Sequence, residues 1–453
     1  MHSKSYLDRL ASLLVTCDLD FHEQDSGYST HNFHAFPAKF PPQLPRLFIE
    51  SLTSPGDIVL DPMQGSGTTI LEAILSARSG IGFDIDPLSV LVTKAKSTPL
   101  DKEKVARIAE EILANATKIS RDRPGDFLKH LNTRWEDKSR EFIDYWFDFD
   151  TQVELLALLL GIAKIQDLSI RQFFELSFSS IIITKSGGVS LARDLAHTRP
   201  HRAKLIYSAQ GEIIEGEEFL EDPPANLKYA TKYLRSPLDE FSKRVRNNLA
   251  GLLAVGDQAL LGATSYGDAQ KLPLPDASVD LIITSPPYAS NAIDYMRAHK
   301  FSLVWLGRNI TDLGDLREGY IGGESTANQE FEPLPEYTLN VISAISTLDA
   351  KKGLVLRRYY SEMSRVLLEM HRVLKPGKAA IVVVGNSQMR GRDTETQNCL
   401  ADIGRSHGFD VPAIGVRNLD RDRRMMPAGV EIDYASQIQQ RMHAEYVIGF
   451  YKP

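Results

Sequence analysis

The chain has 453 residues, of which 43% are hydrophobic and 25% are charged, the proportions of an ordinary soluble protein with a large core. Its formal net charge of −7 gives no overall basic field, so a nucleic-acid partner would have to be held by local patches. The two cysteines, Cys17 and Cys399, form no CxxC pattern, which argues against a disulfide scaffold or a thiolate zinc site and suits a reducing cytoplasm. No apolar run reaches about 18 residues and no signal pattern leads the chain, so we expect a soluble intracellular protein with no membrane partner.

The first predicted unit is a strand, a glycine loop, a helix and a second strand. Residues 57–60 form a short apolar run, and a helical pattern covers residues 69–77. Between them lies the loop Asp61-Pro62-Met63-Gln64-Gly65-Ser66-Gly67-Thr68-Thr69. A second strand follows in Gly80-Ile81-Gly82-Phe83-Asp84-Ile85-Asp86-Pro87, with acidic residues at its end. This order makes a βαβ unit and predicts a parallel sheet.

The glycine loop and the acid after the second strand together indicate a nucleoside ligand. Gly65 and Gly67 allow bare backbone to approach a ligand at a helix N-terminus, although a Gly-x-Gly turn alone is a weak signal. Asp84 is placed to accept hydrogen bonds from both hydroxyls of a ribose. No third glycine follows at Rossmann spacing and no Gly-Lys-Ser/Thr follows either, which disfavours a dinucleotide and a nucleoside triphosphate. A ligand with a ribose and no phosphates, such as S-adenosylmethionine, fits better.

The middle of the chain is predicted to be a large insertion in this α/β fold. Residues 100–255 have a mostly helical pattern, with apolar spacing clearest in residues 153–165 and 241–253. Strands resume near residue 260. A second stretch, residues 289–352, is rich in turn formers and is predicted to be irregular. A helix over residues 359–374, a buried strand over residues 379–384 and a strand over residues 445–451 complete the pattern.

We therefore predict an α/β protein with a Rossmann-like sheet and a large, mostly helical insertion. The predicted division is an α/β domain of residues 1–100 and 256–453, a helical insertion of residues 101–255 and an irregular insertion of residues 289–352.

The sequence Thr284-Ser285-Pro286-Pro287-Tyr288 ends an apolar run of residues 279–283. A strand that runs into two prolines cannot continue its ladder, so the chain must turn out at the carboxyl edge of the sheet. There it presents a hydroxyl, fixed carbonyls and an aromatic ring, where open α/β sheets place active sites. Taken alone, Pro-Pro-Tyr would also fit a plain turn.

Four motifs in this order resemble the S-adenosylmethionine-dependent DNA amino-methyltransferases, which methylate cytosine N4 or adenine N6. The motifs are the glycine loop, the strand ending in Asp84, Gly267-Asp268-Ala269 and the segment Thr284 to Tyr288. Residues 31–42, which read HNFHAFPAKFPP, are similar to the methionine-anchoring motif of the family. The resemblance covers residues 30–100 and 260–453 and implies a class I methyltransferase sheet.

Carried over residue by residue, the resemblance implies a cofactor site. Asp61, Gly65, Gly67 and Thr68 would shape the cofactor loop, and Asp84 would bind the ribose. Asp268 would meet the adenine amino group, while Lys39 and Phe40 would lie along the methionine. For some of these residues a structural role is the alternative, since Asp61 and Asp86 would also serve as helix caps and Phe40 as a core residue.

The chemistry of an exocyclic amine explains the predicted catalytic residues, which are Ser285, Pro286, Pro287 and Tyr288. The amine lone pair is conjugated into the ring, so a site must accept hydrogen bonds from the amine protons and turn the lone pair toward the methyl group. Ser285 Oγ and the Pro286 carbonyl are suitable acceptors, and the prolines hold them still. Tyr288 offers a flat face for a base taken out of the duplex.

The same residues narrow the substrate class. Methylation at cytosine C5 would need a cysteine nucleophile, typically after proline, and neither cysteine follows one. Serine stands first in the tetrad Ser285 to Tyr288, where adenine-specific relatives more often have aspartate or asparagine, so the resemblance favours cytosine N4. Since serine is a weak proton acceptor, we expect the proton to leave to water after transfer. Asp294 and Tyr295 would reach the pocket from the next helix, or else serve as a helix-start acid and a packing ring.

A basic loop inside this acidic protein suits phosphate contacts. Its predicted DNA-binding cations are Lys185, Arg193, Arg199, Arg202 and Lys204. A solvated surface loop is the alternative. A second cluster at Arg417, Arg421, Arg423 and Arg424 is diluted by acids. We favour residues 100–255 for clamping DNA and give residues 289–352 a part in reading bases.

The leading hypothesis is a site-specific DNA methyltransferase acting on cytosine N4 of a flipped base in duplex DNA. Alternatives are an adenine N6 DNA methyltransferase, an RNA exocyclic-amine methyltransferase and a non-catalytic DNA-binding subunit. The resemblance also implies a prokaryotic cytoplasmic enzyme that joins the nucleoid when bound to DNA, with a cognate restriction endonuclease as a candidate partner.

Overall fold

A computed structural model describes residues 5–36, 39–184, 186–193, 195, 200–217, 231–253, 262–289, 294–326, 330–385, 387–419 and 444–453. The helices are α1 Tyr6–Thr16, α2 Gln43–Leu52, α3 Thr68–Leu75, α4 Pro87–Ser97, α5 Lys102–Asp122, α6 Gly125–Thr133, α7 Asp137–Trp146, α8 Phe149–Ala163, α9 Leu168–Ile182, α10 Pro237–Gly251, α11 Met296–Leu303, α12 Ile310–Glu318, α13 Glu336–Ser346, α14 Ala350–Val373 and α15 Thr396–Ser406. The strands are β1 Ile58–Asp61, β2 Ser79–Asp84, β3 Leu205–Tyr207, β4 Ile213–Glu215, β5 Thr231–Tyr233, β6 Ala263–Tyr266, β7 Val279–Thr284, β8 Leu374–Gly385, β9 Gln388–Met389, β10 Arg392–Asp393, β11 Ile414–Asn418 and β12 Ala444–Lys452.

The central sheet has seven strands in the order β11-β12-β8-β7-β1-β2-β6. Strands β6, β2, β1, β7 and β8 are parallel, whereas β12 runs antiparallel to both of its neighbours. The carboxyl ends of β1, β2, β6 and β7 therefore lie at one edge of the sheet. Each of the four sequence motifs lies at or directly after one of these strand ends. The predicted Rossmann-like α/β class is confirmed.

Apolar side chains of the central strands alternate between two cores, one on each face of the sheet. Val59, Leu281 and Ile283 pack with α1 and α2 on one face. Leu60 and Ile282 pack with α13, α14 and α15 on the other. Strand β7 is buried along its whole length, as a central parallel strand must be. The strand ends are consequently held firmly from both sides.

Helices dominate residues 101–253, as predicted, but this stretch also contains a small sheet. Helices α5, α8, α9 and α10 pack on one another around a core that includes Phe173, Phe174 and Phe241. Strands β4, β3 and β5 form the small sheet. Each of these strands has three residues, too few for an alternating pattern to stand out in the sequence.

Residues 289–352 were predicted to be irregular, and the structure corrects this interpretation. They contain α11, α12 and α13. Helices α11 and α12 have eight and nine residues, and Gly314 lies inside α12. Short helices separated by glycines lack the sustained apolar period by which helices are recognised.

Within the described ranges, no helix combines the length and the apolar character that crossing a membrane requires.

Candidate active site

A cavity of about 620 Å³ opens at the carboxyl edge of the sheet. Its lining includes Gly65 after β1, Asp84 at the end of β2, Asp268 after β6, and Ser285 and Pro287 after β7. Residues far apart in the sequence are thus brought to one space by the parallel strands. The size is ordinary for a site that binds a small molecule.

A second, smaller cavity of about 50 Å³ adjoins the first. Lys39, Phe40, Asp61 and Thr68 line it. The two cavities share five lining residues, which are Phe36, Met63, Gly65, Ser285 and Tyr295. Most predicted cofactor residues therefore surround one connected region, and Ser285 lies where the two cavities meet.

The glycine loop has the backbone conformation that its glycines permit. Gly65 and Gly67 have φ angles of 46° and 73°. A Cβ on Gly67 would lie 2.6 Å from the Thr93 side chain, so this position admits only glycine. The buried Lys96 ammonium donates to the Ser66 carbonyl at 2.6 Å, and burial lowers the pKa of Lys96 well below its ordinary value. The loop is thus fixed from beneath by α4.

Asp84 is held by the backbone at the point where it enters the cavity. Its carboxylate accepts from the Gly65 amide at 2.9 Å and from the Asp86 amide at 2.8 Å. Burial, together with the neighbouring Asp86 charge, raises the pKa of Asp84 to about 7. Each oxygen keeps free lone pairs, so the carboxylate can still accept hydrogen bonds from a ligand.

The alternative structural roles are partly realised. Asp86 caps α4 by accepting from the Leu88 amide at 2.8 Å, and His299 donates to it at 2.6 Å. Phe40 is 8% exposed and belongs to the core on the α1 and α2 face while it lines the small cavity. Asp61 caps no helix; it is buried and accepts from the Met63 amide, and burial raises its pKa to about 6. Lys39 donates to the His31 carbonyl at 2.9 Å.

Asp268 is exposed and is connected to Arg365 through hydrogen bonds of Gln270. Gln270 contacts the Asp268 carboxylate through its backbone amide at 2.9 Å and through its side-chain amide. Arg365 of α14 in turn donates to Gln270 Oε1 at 2.8 Å. Arg365 of α14 is therefore linked through Gln270 to Asp268, the residue predicted to contact the adenine.

The four tetrad residues differ in position. Ser285 and Pro287 line the large cavity, whereas Pro286 and Tyr288 line neither cavity. The Tyr288 hydroxyl donates to Glu445 Oε1 of β12 at 2.9 Å, and Arg417 of β11 pairs with Glu445 at 2.5 Å. Burial and the Glu445 charge raise the pKa of Tyr288 well above its usual value. The ring is anchored to the sheet before any substrate arrives.

The segment before the glycine loop is anchored by one buried carboxylate. Glu72 of α3 is fully buried and accepts from Tyr28 at 2.8 Å, from His31 at 2.7 Å and from Arg46 at 2.8 Å. Burial lowers the pKa of His31 to about 4. Residues 28–31 are thereby joined to α3, whose N-terminus follows the glycine loop.

Two aromatic residues line both cavities, and one of them, Tyr295, was named in the sequence analysis as a candidate pocket residue. The rings of Phe36 and Tyr295 stack with their centroids 5.3 Å apart, and both line the two cavities. Phe36 lies within the motif of residues 31–42, so a signal for it was present. The stacking of Tyr295 on Phe36 could not be predicted, because the two residues are far apart in the sequence.

The predicted DNA-binding cations are only partly open to assessment, since Lys185 and Arg199 lie outside the described residues. Arg193 is half-buried and Lys204 is exposed. Arg202 pairs with Glu215 at 2.5 Å, donates to the Tyr145 carbonyl and lies over the Tyr145 ring. In this structure Arg202 is engaged by protein groups. In the second cluster Arg417 pairs with Glu445, and Arg421, Arg423 and Arg424 lie outside the described part of the chain.

No group of three or more histidine, cysteine, aspartate or glutamate side chains in the described residues could hold a metal ion.

A Rossmann-like sheet that places a glycine loop and a ribose-type carboxylate at its carboxyl edge defines the class I methyltransferase architecture. Residues 19–95 match the model of a family described as DNA methylase. The type II methyltransferase M.MvaI of Kocuria varians is 24% identical over 85% of this chain and 83% of its own length. M.BsoBI of Geobacillus stearothermophilus is 22% identical over 86% of this chain and 80% of its own. These similarities confirm the predicted resemblance to the S-adenosylmethionine-dependent DNA amino-methyltransferases and the predicted cofactor, S-adenosylmethionine.

Proposed function

We propose that this protein is a type II DNA methyltransferase that transfers a methyl group from S-adenosylmethionine to cytosine N4 of a base flipped out of duplex DNA. The observation that carries the proposal is the position of Ser285, which lines both the cavity containing Asp84 and the cavity containing Lys39 and Phe40. A hydroxyl acceptor at that junction lies beside the place where cofactor and base must meet.

The residues present fit the cofactor. The Asp84 carboxylate would hold the ribose hydroxyls, Asp268 the adenine amino group, and Lys39 and Phe40 the methionine portion. Asp61, Gly65, Gly67 and Thr68 would shape the loop beside it, where Gly67 leaves no room for a Cβ. When bound, S-adenosylmethionine supplies an electrophilic methyl group.

The tetrad acts on the target base by position. Ser285 Oγ and the Pro286 carbonyl accept hydrogen bonds from the amine protons, which directs the nitrogen lone pair toward the methyl group. The two prolines keep these acceptors fixed at the end of the buried β7. After transfer the cationic amine loses its proton to water. Tyr288 supports the flipped base with its ring.

DNA binding is assigned to the parts of the chain outside the sheet. Residues 101–255 clamp the duplex, with Lys185, Arg193, Arg199, Arg202 and Lys204 as phosphate contacts. Arg202 must leave Glu215 to take this role. Residues 289–352 take part in reading bases, because Arg297, Gly314, Asp315 and Arg317 line the large cavity. A cognate restriction endonuclease is the proposed partner, since full-length relatives are named type II methyltransferases.

The direct test is to incubate the purified protein with S-adenosylmethionine and unmodified plasmid and to identify methylated nucleosides by mass spectrometry. We expect N4-methylcytosine, and we expect none from the Asp84→Asn variant, which serves as the matched control. A product of N6-methyladenine alone would contradict the cytosine assignment. Labelling of RNA with none in DNA would contradict the DNA substrate.

A further inference from the structure

One wall of the large cavity is made by a segment that lies outside the motifs on which the resemblance depends. All eight residues from Glu318 to Ser325, here called the 318–325 segment, line the cavity. The segment begins at the last residue of α12 and includes Gly319, Gly322 and Gly323. A glycine-rich segment of this kind has no shape of its own and must be held by its surroundings.

A buried ion pair on α14 holds this segment through its backbone. Arg358, which is 2% exposed, donates to the carbonyls of Glu318 at 3.0 Å, Tyr320 at 3.3 Å and Ser325 at 2.5 Å. Arg358 also donates to Glu362 at 2.7 Å, and Glu362 accepts from the Gly322 amide at 2.8 Å. Two side chains thus bind four backbone groups within eight residues. A Cβ on Gly323 would lie 2.9 Å from the Arg358 guanidinium, so the backbone packs closely on it.

The segment faces the nucleoside end of the cavity. The position of a Cβ on Gly319 is 3.4 Å from Ile85 Cδ1, and Ile85 directly follows Asp84. Tyr320 lines the cavity, and its pKa is raised by burial and by the nearby Asp86 charge. The aromatic ring therefore lies near the acidic end of β2, where a ribose would be bound.

We propose that the 318–325 segment is the outer wall of the adenosine pocket, that Tyr320 contacts the bound nucleoside, and that Arg358 and Glu362 are positioning residues for this wall. The proposal rests on the proposed function only in placing the cofactor ribose at Asp84. An aromatic side chain near Asp84 in the same cavity would give the nucleoside a surface to contact, and a guanidinium with several fixed donors suits the role of holding backbone carbonyls.

The test measures the affinity of 5′-methylthioadenosine, which has the adenosine portion without the amino acid, by titration calorimetry on the full chain. We expect Tyr320→Ala and Arg358→Lys to bind it about tenfold more weakly, the loss that corresponds to one or two hydrogen bonds or a ring contact. Tyr320→Phe should bind nearly as well as the wild type, and Glu362→Gln should lose less than Arg358→Lys because it keeps an acceptor.

Arg372→Lys is the matched control, because Arg372 lies on the same helix and likewise donates to two backbone carbonyls, those of Leu272 and Leu274, outside the cavity lining. Melting temperatures of all variants separate loss of binding from loss of folding, and Arg372→Lys should keep full affinity. Suppose that Tyr320→Ala and Arg358→Lys bind 5′-methylthioadenosine as tightly as the wild type while Asp84→Asn does not. The proposed role of the 318–325 segment would then be wrong, and the placement of the cofactor ribose at Asp84 would still be supported. If Asp84→Asn also binds normally, the proposed cofactor placement itself is wrong.

Discussion

At the scale of single residues, the site combines groups that touch the cavity with groups that act from behind it. Asp84 and Ser285 line the cavity. Tyr288 is half-buried and tied to Glu445 through its hydroxyl. The hydroxyl fixes the orientation of the ring, and the proposed stacking on a flipped base would be a separate task of the ring itself.

Replacing Tyr288 should separate these tasks. We expect Tyr288→Ala to keep cofactor affinity but to lose about ten- to a hundredfold in kcat/KM for DNA, the range expected for losing one base-stacking ring. Tyr288→Phe keeps the ring and loses only the bond to Glu445, so its loss should be smaller. Steady-state methylation and cofactor titration measure both effects. Unchanged turnover in Tyr288→Ala would remove the stacking role.

The raised pKa of Asp84 predicts a pH-dependent affinity for the nucleoside. In the proposed site the ionised carboxylate would accept hydrogen bonds from both ribose hydroxyls, whereas the protonated group offers fewer acceptor sites. Below the pKa of about 7 the affinity for 5′-methylthioadenosine should therefore fall, by up to about tenfold per pH unit. Calorimetry between about pH 6 and about pH 8 measures it. Asp84→Asn should bind weakly at every pH; an equally steep profile in that variant would assign the titration to another group.

At the scale of elements, α3 joins the glycine loop to the segment of residues 28–31. Glu72 lies on the face of α3 that meets this segment and α2. Three donors converge on it in a fully buried position, where an unpaired polar group is costly. The motif of residues 31–42 is therefore placed by a carboxylate that belongs to no motif.

Removing that carboxylate should destabilise the protein. Glu72→Ala leaves the buried His31 and the half-buried Tyr28 without their acceptor, and we expect the free energy of unfolding to fall by about 3 kcal/mol. Glu72→Gln keeps an acceptor for one donor and should cost less. Urea denaturation followed by circular dichroism gives both values. Equal stabilities of Glu72→Ala and the wild type would show that the three contacts contribute nothing.

Elements close together in the sequence were predictable, and contacts between distant elements were not. The unit from β1 to β2 follows from an apolar run, a glycine loop and a second run, and its residues Gly65 and Asp84 could be named from the sequence. The contacts of Arg358 with the 318–325 segment could not, because an arginine in a helix gives no sign of which carbonyls it will meet. Tyr288 shows the same limit, since its partner Glu445 is 157 residues away.

At the scale of the whole molecule, the long helical stretch shares its core with the sheet-forming part. Leu88 and Val92 of α4 pack in one cluster with Phe173 and Phe174 of α9. Ser180 of α9 also donates to the Phe33 carbonyl at 2.7 Å. The predicted insertion of residues 101–255 is therefore distinct in the sequence, but it shares one continuous hydrophobic core with the sheet-forming part.

A continuous core predicts cooperative unfolding. We expect differential scanning calorimetry of the full chain to show a single transition, because residues 101–253 cannot unfold without exposing α4. Cofactor should shift that transition upward as a whole. Two separated transitions, with only one of them moved by the cofactor, would show instead that the helical stretch is an independent domain.

Strand β12 follows both β8 and β11 in the chain and yet lies between them in the sheet. While the protein is being synthesised, β8 and β11 can leave the ribosome without being able to pair through β12. Glu445, which holds the Tyr288 hydroxyl, emerges with that same strand. A nascent chain that already has its glycine loop and its tetrad would therefore lack the anchor of its aromatic ring. Fixation of the Tyr288 ring is in this way deferred until β12 has been synthesised and can pair between β8 and β11.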